Sequence, residues 1–173
     1  MLAKKVAELL NDQVNKELYS AYLYLDISNY YKQENLDGFA NWFKIQAKEE
    51  RDHAMAFVGY LQQNEIPVTL KAIDKPDKQY HAFGDPLKEV VKHEEYVTSL
   101  IHNLYDAACG EKDFRTMQFL SWFVKEQGEE EDNANTLVKK FELFGSDAKG
   151  LYMLDAELGA REYAVASILK SGD

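Results

Sequence analysis

Four stretches of this sequence place a carboxylate where a helix would carry its buried face. Glu50 and His53 are three residues apart, as are Gln127 and Glu130, so on helices each pair lies one turn apart on one side. Glu17 and Glu94 stand singly among apolar residues that recur every three or four positions. The first such stripe reads Ala3, Ala7, Leu10, Val14, Glu17, Ala21, Tyr24, Ser28 and Tyr31. The second reads Phe39, Phe43, Gln46, Glu50, His53, Phe57 and Tyr60. The third reads Leu87, Val90, Glu94, Val97, Ile101, Leu104 and Ala108. The fourth reads Leu120, Phe123, Gln127, Glu130, Ala134, Leu137 and Phe141. Each is interrupted near its middle by glutamate.

One buried glutamate can be an ordinary core residue with its hydrogen bonds satisfied. Four at one depth are a different matter, because removing a single unpaired carboxylate from water costs several kcal/mol. Total stability is only about 5–15 kcal/mol, and no lysine or arginine stands at the matching positions. A bound cation resolves the conflict. Oxygen donors with one imidazole and no thiolate suit iron or manganese, with zinc able to compete. Di-iron carboxylate bundles use one Glu from each of two helices and Glu-x-x-His from the other two. This sequence matches at Glu17, Glu94 and Glu50/His53, and departs at Gln127-x-x-Glu130. The expected centre is therefore asymmetric. One metal has Glu17, Glu50 and His53; the other has Glu50, Glu94 and Glu130 with Gln127 beside it, and Glu50 bridges. Without metal these carboxylates repel, so Glu94→Gln is expected to stabilise the metal-free protein.

Glu49, Glu126 and Glu129 each precede an inward residue by one position. They form either a third cation site with Glu130 or part of a solvated acidic face, since Glu129-Glu130-Glu131-Asp132 is also a charge run.

The elements that must position these groups are helices. The 3.6-residue period predicts helices over about 3–32, 36–65, 86–109 and 113–144, with a short fifth over about 148–162. Between about Ile66 and Asp85 the period is lost and Pro67, Pro76 and Gly84 appear, a connection long enough to run the length of a helix. Asp85-Pro86 reads as an N-cap followed by proline at the first helical position. The expectation is an all-α, antiparallel four-helix bundle in which the second and third helices run parallel. Outward aromatics on the first helix (Tyr19, Tyr22, Tyr30) suggest a subunit interface.

The chain has 173 residues and a net charge of −10, a field that repels nucleic acid and anionic membranes and attracts cations. The single cysteine, Cys109, excludes an internal disulfide. No stretch of about 18 apolar residues is present and the start lacks a signal peptide's apolar core, so a soluble cytoplasmic protein is expected.

The segments Leu9–Gln13, Glu17–Tyr24, Gly38–Trp42, Glu49–His53, Lys92–Glu94 and Phe119–Glu131 resemble the bacterial and archaeal non-haem ferritins. The similarity runs over residues 1–162, read as one ferritin-like di-iron domain, and leaves 163–173 as a tail without a counterpart. The resemblance implies a cage of 24 subunits that oxidises Fe(II) with O2 or H2O2 and stores ferric mineral. It implies two irons at Glu17, Glu50, His53, Glu94, Gln127 and Glu130, and a third at Glu49, Glu126, Glu129 and Glu130. It also places Tyr24 and Trp122 beside the centre, although by spacing alone both are core aromatics. Bacterioferritins have methionine immediately before the site histidine; Asp52 stands there, so no haem is expected. One cysteine cannot supply a rubredoxin domain, and Lys4 and Lys5 alone do not make a basic DNA-binding tail. The competing readings are a non-catalytic cation-binding bundle and a di-iron oxygenase, the latter requiring a substrate cavity where Phe39, Phe43, Phe57 and Phe123 crowd the stripes.

Overall fold

A computed structural model describes residues 2–170. Its helices are α1 (Lys4–Gln33), α2 (Asp37–Gln63), α3 (Asp85–Gly110), α4 (Phe114–Phe144), α5 (Ala148–Gly159) and the single turn α6 (Ser167–Lys170). The fifth helix stops at Gly159 rather than at 162. Residues 171–173 of the expected tail lie outside the described residues.

Two apolar clusters give the helix directions. One joins the end of α1 (Tyr24, Ile27, Tyr31) to the starts of α2 (Phe39, Phe43) and α3 (Leu87, Val90), and to the end of α4 (Ala134, Leu137). The other joins the start of α1 (Val6, Leu10, Val14), the ends of α2 (Phe57, Leu61) and α3 (Ile101, Leu104), and the start of α4 (Leu120, Phe123). Helices α1–α2 and α3–α4 are therefore antiparallel hairpins, and α2 runs parallel to α3. Between the clusters lies a buried polar layer containing Glu17, Gln46, Glu50, His53, Glu94, Gln127 and Glu130. All four core carboxylates thus sit at one depth with apolar material above and below.

The parallel arrangement needs the connection 64–84 to travel the bundle's length, and two asparagines of α1 guide it. Asn11 donates to Pro67 O at 3.2 Å and accepts from Thr69 N at 2.7 Å. One turn later Asn15 donates to Thr69 O at 2.9 Å and accepts from Lys71 N at 2.7 Å. At the far end Tyr31 donates to Phe83 O at 2.6 Å. Two of the aromatics read as outward are partly covered, one by the link and one by α3. Tyr30 packs on Tyr80 with ring centroids 5.1 Å apart, and Tyr19 is half-buried beside His93. Of the three, only Tyr22 stands exposed, with Leu25 one turn along. Asp85 is likewise not the N-cap but the first residue of α3. Its carboxylate turns back to accept from His81 N and Ala82 N, each at 2.9 Å, and so ties the end of the link.

Three helices end in the same way. Asn35, Glu65 and Lys112 take left-handed conformations with φ of 60°, 59° and 54°. Their N–H groups bond back three residues, and those of Leu36, Ile66 and Asp113 bond back five, which closes the terminal carbonyls. Asparagine tolerates this conformation, but Glu65 and Lys112 carry a Cβ penalty of about 1–2 kcal/mol. Part of it is offset by the entropy glycine would lose on folding. Glu65→Gly and Lys112→Gly, both at exposed positions, should each stabilise the chain by about 0.5–1 kcal/mol in a denaturant titration. Helix α5 docks across the start of α2, where Asp155 Oδ1 accepts from Gly38 N (2.8 Å) and Phe39 N (3.0 Å). A side chain at 38 would collide with the Asp155 backbone, so glycine is required there.

Candidate metal centre

Three ligands converge. Glu17 on α1 and the Glu50/His53 pair on α2 each present a donor atom, all within 4.8 Å of one another, and all three side chains are buried. Glu17 Oε1 accepts from Gln13 Nε2 at 2.7 Å, but its buried Oε2 has no hydrogen-bond partner. His53 Nδ1 lies 3.5 Å from Glu50 Oε2. An orphaned carboxylate oxygen beside a second carboxylate and an imidazole fits a hard or borderline divalent cation.

The other candidates, Glu94, Gln127 and Glu130, are buried but lie outside this trio. Glu94 on α3 accepts from the Tyr24 hydroxyl and, at 3.2 Å, from Gln127 Nε2. Glu130 on α4 accepts from Gln46 Nε2 at 2.7 Å, and the same amide lies 3.5 Å from Glu50 Oε1. Neither joins the convergent trio. Each is tied by amide or phenol donors, so Glu94 is the carboxylate least suited to relief by amidation. An amide nitrogen there would oppose the Gln127 donor or require the Tyr24 hydroxyl to turn and accept, so the larger stabilisation is expected from Glu17→Gln. Tyr24 is fully buried and its hydroxyl is pushed well above the usual value, first by burial and then by Glu94. It therefore acts as a neutral donor that holds Glu94. His53 meets Trp122 and Phe123 edge-on, with ring centroids at 5.5 and 5.9 Å, so the imidazole is fixed by packing.

The outer acidic residues stand apart from the convergent Glu17, Glu50 and His53 trio and are neighbours of one another, Glu49 acting on Glu126 and on Glu130. Glu126 is half-buried, while Glu129 is exposed and paired with Lys125 at 2.8 Å. Glu49 is bound by Arg161, whose Nη2 lies 2.5 Å from Glu49 Oε2. The same guanidinium donates to Gln46 Oε1 at 2.9 Å. Arg161 and Asp52 are participants that sequence reasoning missed. Asp52 has the α2 register of an exposed residue but is buried, because Tyr163 donates to it at 2.6 Å. Gln46 and Gln13 were visible one turn before Glu50 and Glu17, a spacing that puts an amide within reach of each carboxylate.

Burial is the first cause that raises all four core carboxyls above their usual value near 4.5. Neighbouring carboxylates add to it: Glu50 acts on Glu17, Glu94 on Glu50, and both Glu50 and Glu94 on Glu130. The native metal-free protein thus holds protons that the unfolded chain releases. Stability from this cluster is full below pH about 4.5 and is lost as pH rises through the raised folded values. Metal binding must expel those protons. Metal-free protein should therefore melt progressively lower as pH rises from about 4.5 to 7, while the increase given by Zn2+ grows over the same range. Calorimetric titration in buffers of different ionisation enthalpy should show net proton release.

The family model of the ferritin-like domain matches residues 7–144. A bacterial non-heme ferritin of Campylobacter jejuni is 37% identical over 155 residues, covering 90% of this chain and 93% of that protein. A probable bacterial non-heme ferritin-like protein of Haemophilus influenzae is 35% identical over 159 residues, with 92% and 96% covered. The open-pore ferritin of Archaeoglobus fulgidus superposes with a TM-score of 0.91 at 40% identity, over 93% of this chain and 98% of that one. A closed form engineered from it gives 0.92 at 40% identity, over 95% and 100%.

Proposed function

The chain belongs to the ferritin-like domain family, and from that premise we propose that it is an iron-storage protein with ferroxidase activity. The observation that supports this reading best is the convergence of Glu17, Glu50 and His53, with one carboxylate oxygen unpartnered, in a polar layer sealed by two apolar clusters. Iron is the substrate. One Fe(II) binds among Glu17, Glu50 and His53, and the second between Glu50, Glu94 and Glu130, with Gln127 alongside. Two irons sharing a carboxylate lie about 3.5–4 Å apart, so each gives one electron and O2 takes both. The balance is two Fe(II), one O2 and two protons giving two Fe(III) and one H2O2. Hard anionic oxygen favours the ferric charge, and Tyr24 and Gln127 keep Glu94 aimed. The reading includes no haem, since Asp52, a carboxylate bound to Tyr163, stands where the haem-carrying relatives have methionine.

The di-iron oxygenase reading would need a substrate cavity at the ligands. The cavity of about 530 Å3 between α1, α3 and the link is lined by Lys16, Tyr19, His93 and Tyr96 among others, and by none of the candidate metal ligands. Two Fe(II) added per chain in air should be oxidised in a rapid first phase with one O2 consumed per two irons. Hundreds per assembly should then stay soluble and amber. Saturation at a few irons without O2 uptake would identify a passive binder.

The same reading makes the assembly a closed cage of 24 chains in the cytoplasm. Exposed Tyr22 and Leu25 on α1, and Leu70 and Ile73 on the link, are among the apolar residues available for contacts. Light scattering at micromolar concentration should give a large uniform particle; a 20 kDa monomer or a lone dimer would refute the cage.

Glu49, Glu126, Glu129 and Glu130 form the third iron site in this reading, and it sets later turnover. Glu126→Ala with Glu129→Ala tests this without disturbing the Arg161–Glu49 pair. The first oxidation phase should be unchanged while later rates and O2 use shift. Loss of the first phase would place these residues in the primary centre.

A further inference from the structure

The segment after α5 is a strap laid along α2. Asn41 Nδ2 donates to Arg161 O at 3.0 Å, and the Arg161 guanidinium stacks on Trp42 at 4.2 Å from the ring centroid. Further on, Tyr163 donates to Asp52, and Ser167 Oγ accepts from Trp122 Nε1 at 2.9 Å. Trp122 in turn is the residue packed edge-on against His53. The strap therefore touches the centre's surroundings at both ends.

Its one cation in the polar layer's vicinity performs two tasks. Arg161 Nη2 binds Glu49 at 2.5 Å, with both side chains about four-fifths covered. Arg161 Nη1 binds Gln46 Oε1 at 2.9 Å. An amide whose oxygen accepts from arginine must point its nitrogen the other way, and Gln46 Nε2 indeed donates to Glu130 at 2.7 Å. A continuous path thus runs from Arg161 through Gln46 to Glu130.

The geometry points to Arg161 as a tethered counter-cation that holds the place of the third metal ion and is displaced when that ion binds Glu49. The inference rests on the third-site reading above. A divalent ion on the free Oε1 of Glu49 would stand beside the guanidinium held on Oε2 in a space four-fifths covered, where the repulsion between the two cations is weakly screened and drives the guanidinium off. Binding at Glu49 must break the Glu49–Arg161 pair, free Gln46 from its fixed orientation, and loosen the strap. The third site consequently fills last, and its filling is signalled to Glu130 through Gln46. Arg161 is a positioning residue, acting on iron only through Glu49 and Gln46.

The test is Zn2+ titration of the assembled, full-length protein by calorimetry, with hydrogen exchange of residues 160–170 followed at each stoichiometry. Wild type should show a tight class and a weak class, and strap protection should fall only as the weak class fills. Arg161→Ala should bind the weak class about tenfold tighter, which is about 1.4 kcal/mol, with the strap unprotected from the outset. Arg161→Gln, which keeps a hydrogen-bonding side chain without charge, should tighten the weak class as Ala does. Arg161→Lys should retain the wild-type value within about threefold. Glu49→Gln should remove the weak class in either background. A weak class unchanged or weakened in both Arg161→Ala and Arg161→Gln overturns the inference, as does strap protection indifferent to zinc. Loss of the tight class in wild type would instead overturn the ferroxidase reading, and the Arg161 comparison at Glu49 would still decide this one.

Discussion

Glu17→Gln should make the metal-free protein more stable than wild type, by about 1–3 kcal/mol at pH 7. The substitution preserves volume, so no cavity arises. The oxygen facing Gln13 remains, and the new amide nitrogen replaces Oε2, the buried atom without a partner, where it can donate toward Glu50. A carboxyl whose charged form is disfavoured by burial and by Glu50 is thereby replaced by a neutral group. The difference should shrink as pH falls toward about 4.5, where both native and unfolded wild type carry the proton. At one metal per chain the order should reverse, because wild type gains from binding what the variant cannot. A variant that melts lower at pH 7 without metal would mean that Glu17 is a satisfied structural residue.

Glu50→Gln should have the largest effect on activity. Glu50 is the carboxylate that converges with Glu17 and His53 and also interacts electrostatically with Glu94 and Glu130. Loss of an outer hydrogen-bond partner typically costs about 10–100-fold in a metal site. Removing the anionic ligand common to two metals should exceed that, so the initial Fe(II) oxidation rate should fall by more than about 100-fold. The increase in melting temperature given by Zn2+ should shrink with it, while the metal-free fold remains intact. Rapid oxidation in this variant, measured by stopped-flow absorbance, would show that the two irons do not share Glu50.

The fold was legible because helix periodicity is a local property. Stripes from Ala3 to Tyr31 and from Leu120 to Phe141 gave helices α1 and α4 within a residue or two of their ends. The Pro-containing gap gave the long link and hence the parallel α2 and α3. The link's path was not legible, since the brackets at Asn11 and Asn15 act on residues more than fifty positions away. For the same reason Tyr30 looked outward until the link was laid over it, and Tyr19 until His93 of α3 was placed beside it. The inward glutamates were found because unpaired charge in an apolar stripe is costly at any position. Arg161 was missed for the opposite reason: it fell inside the expected fifth helix, which in fact ends at Gly159, and only the tertiary path of 160–170 brings it to Glu49. A search for lysine or arginine at matching stripe positions could not have found a cation delivered by an irregular segment.

The most direct test of the centre is diffraction from crystals soaked anaerobically in Fe(II), with data on both sides of the iron absorption edge. The account predicts two anomalous peaks per chain about 3.5–4 Å apart. One should lie among Glu17, Glu50 and His53, and the other between Glu50, Glu94 and Glu130. A single peak, or a pair that leaves Glu50 unligated, would contradict it.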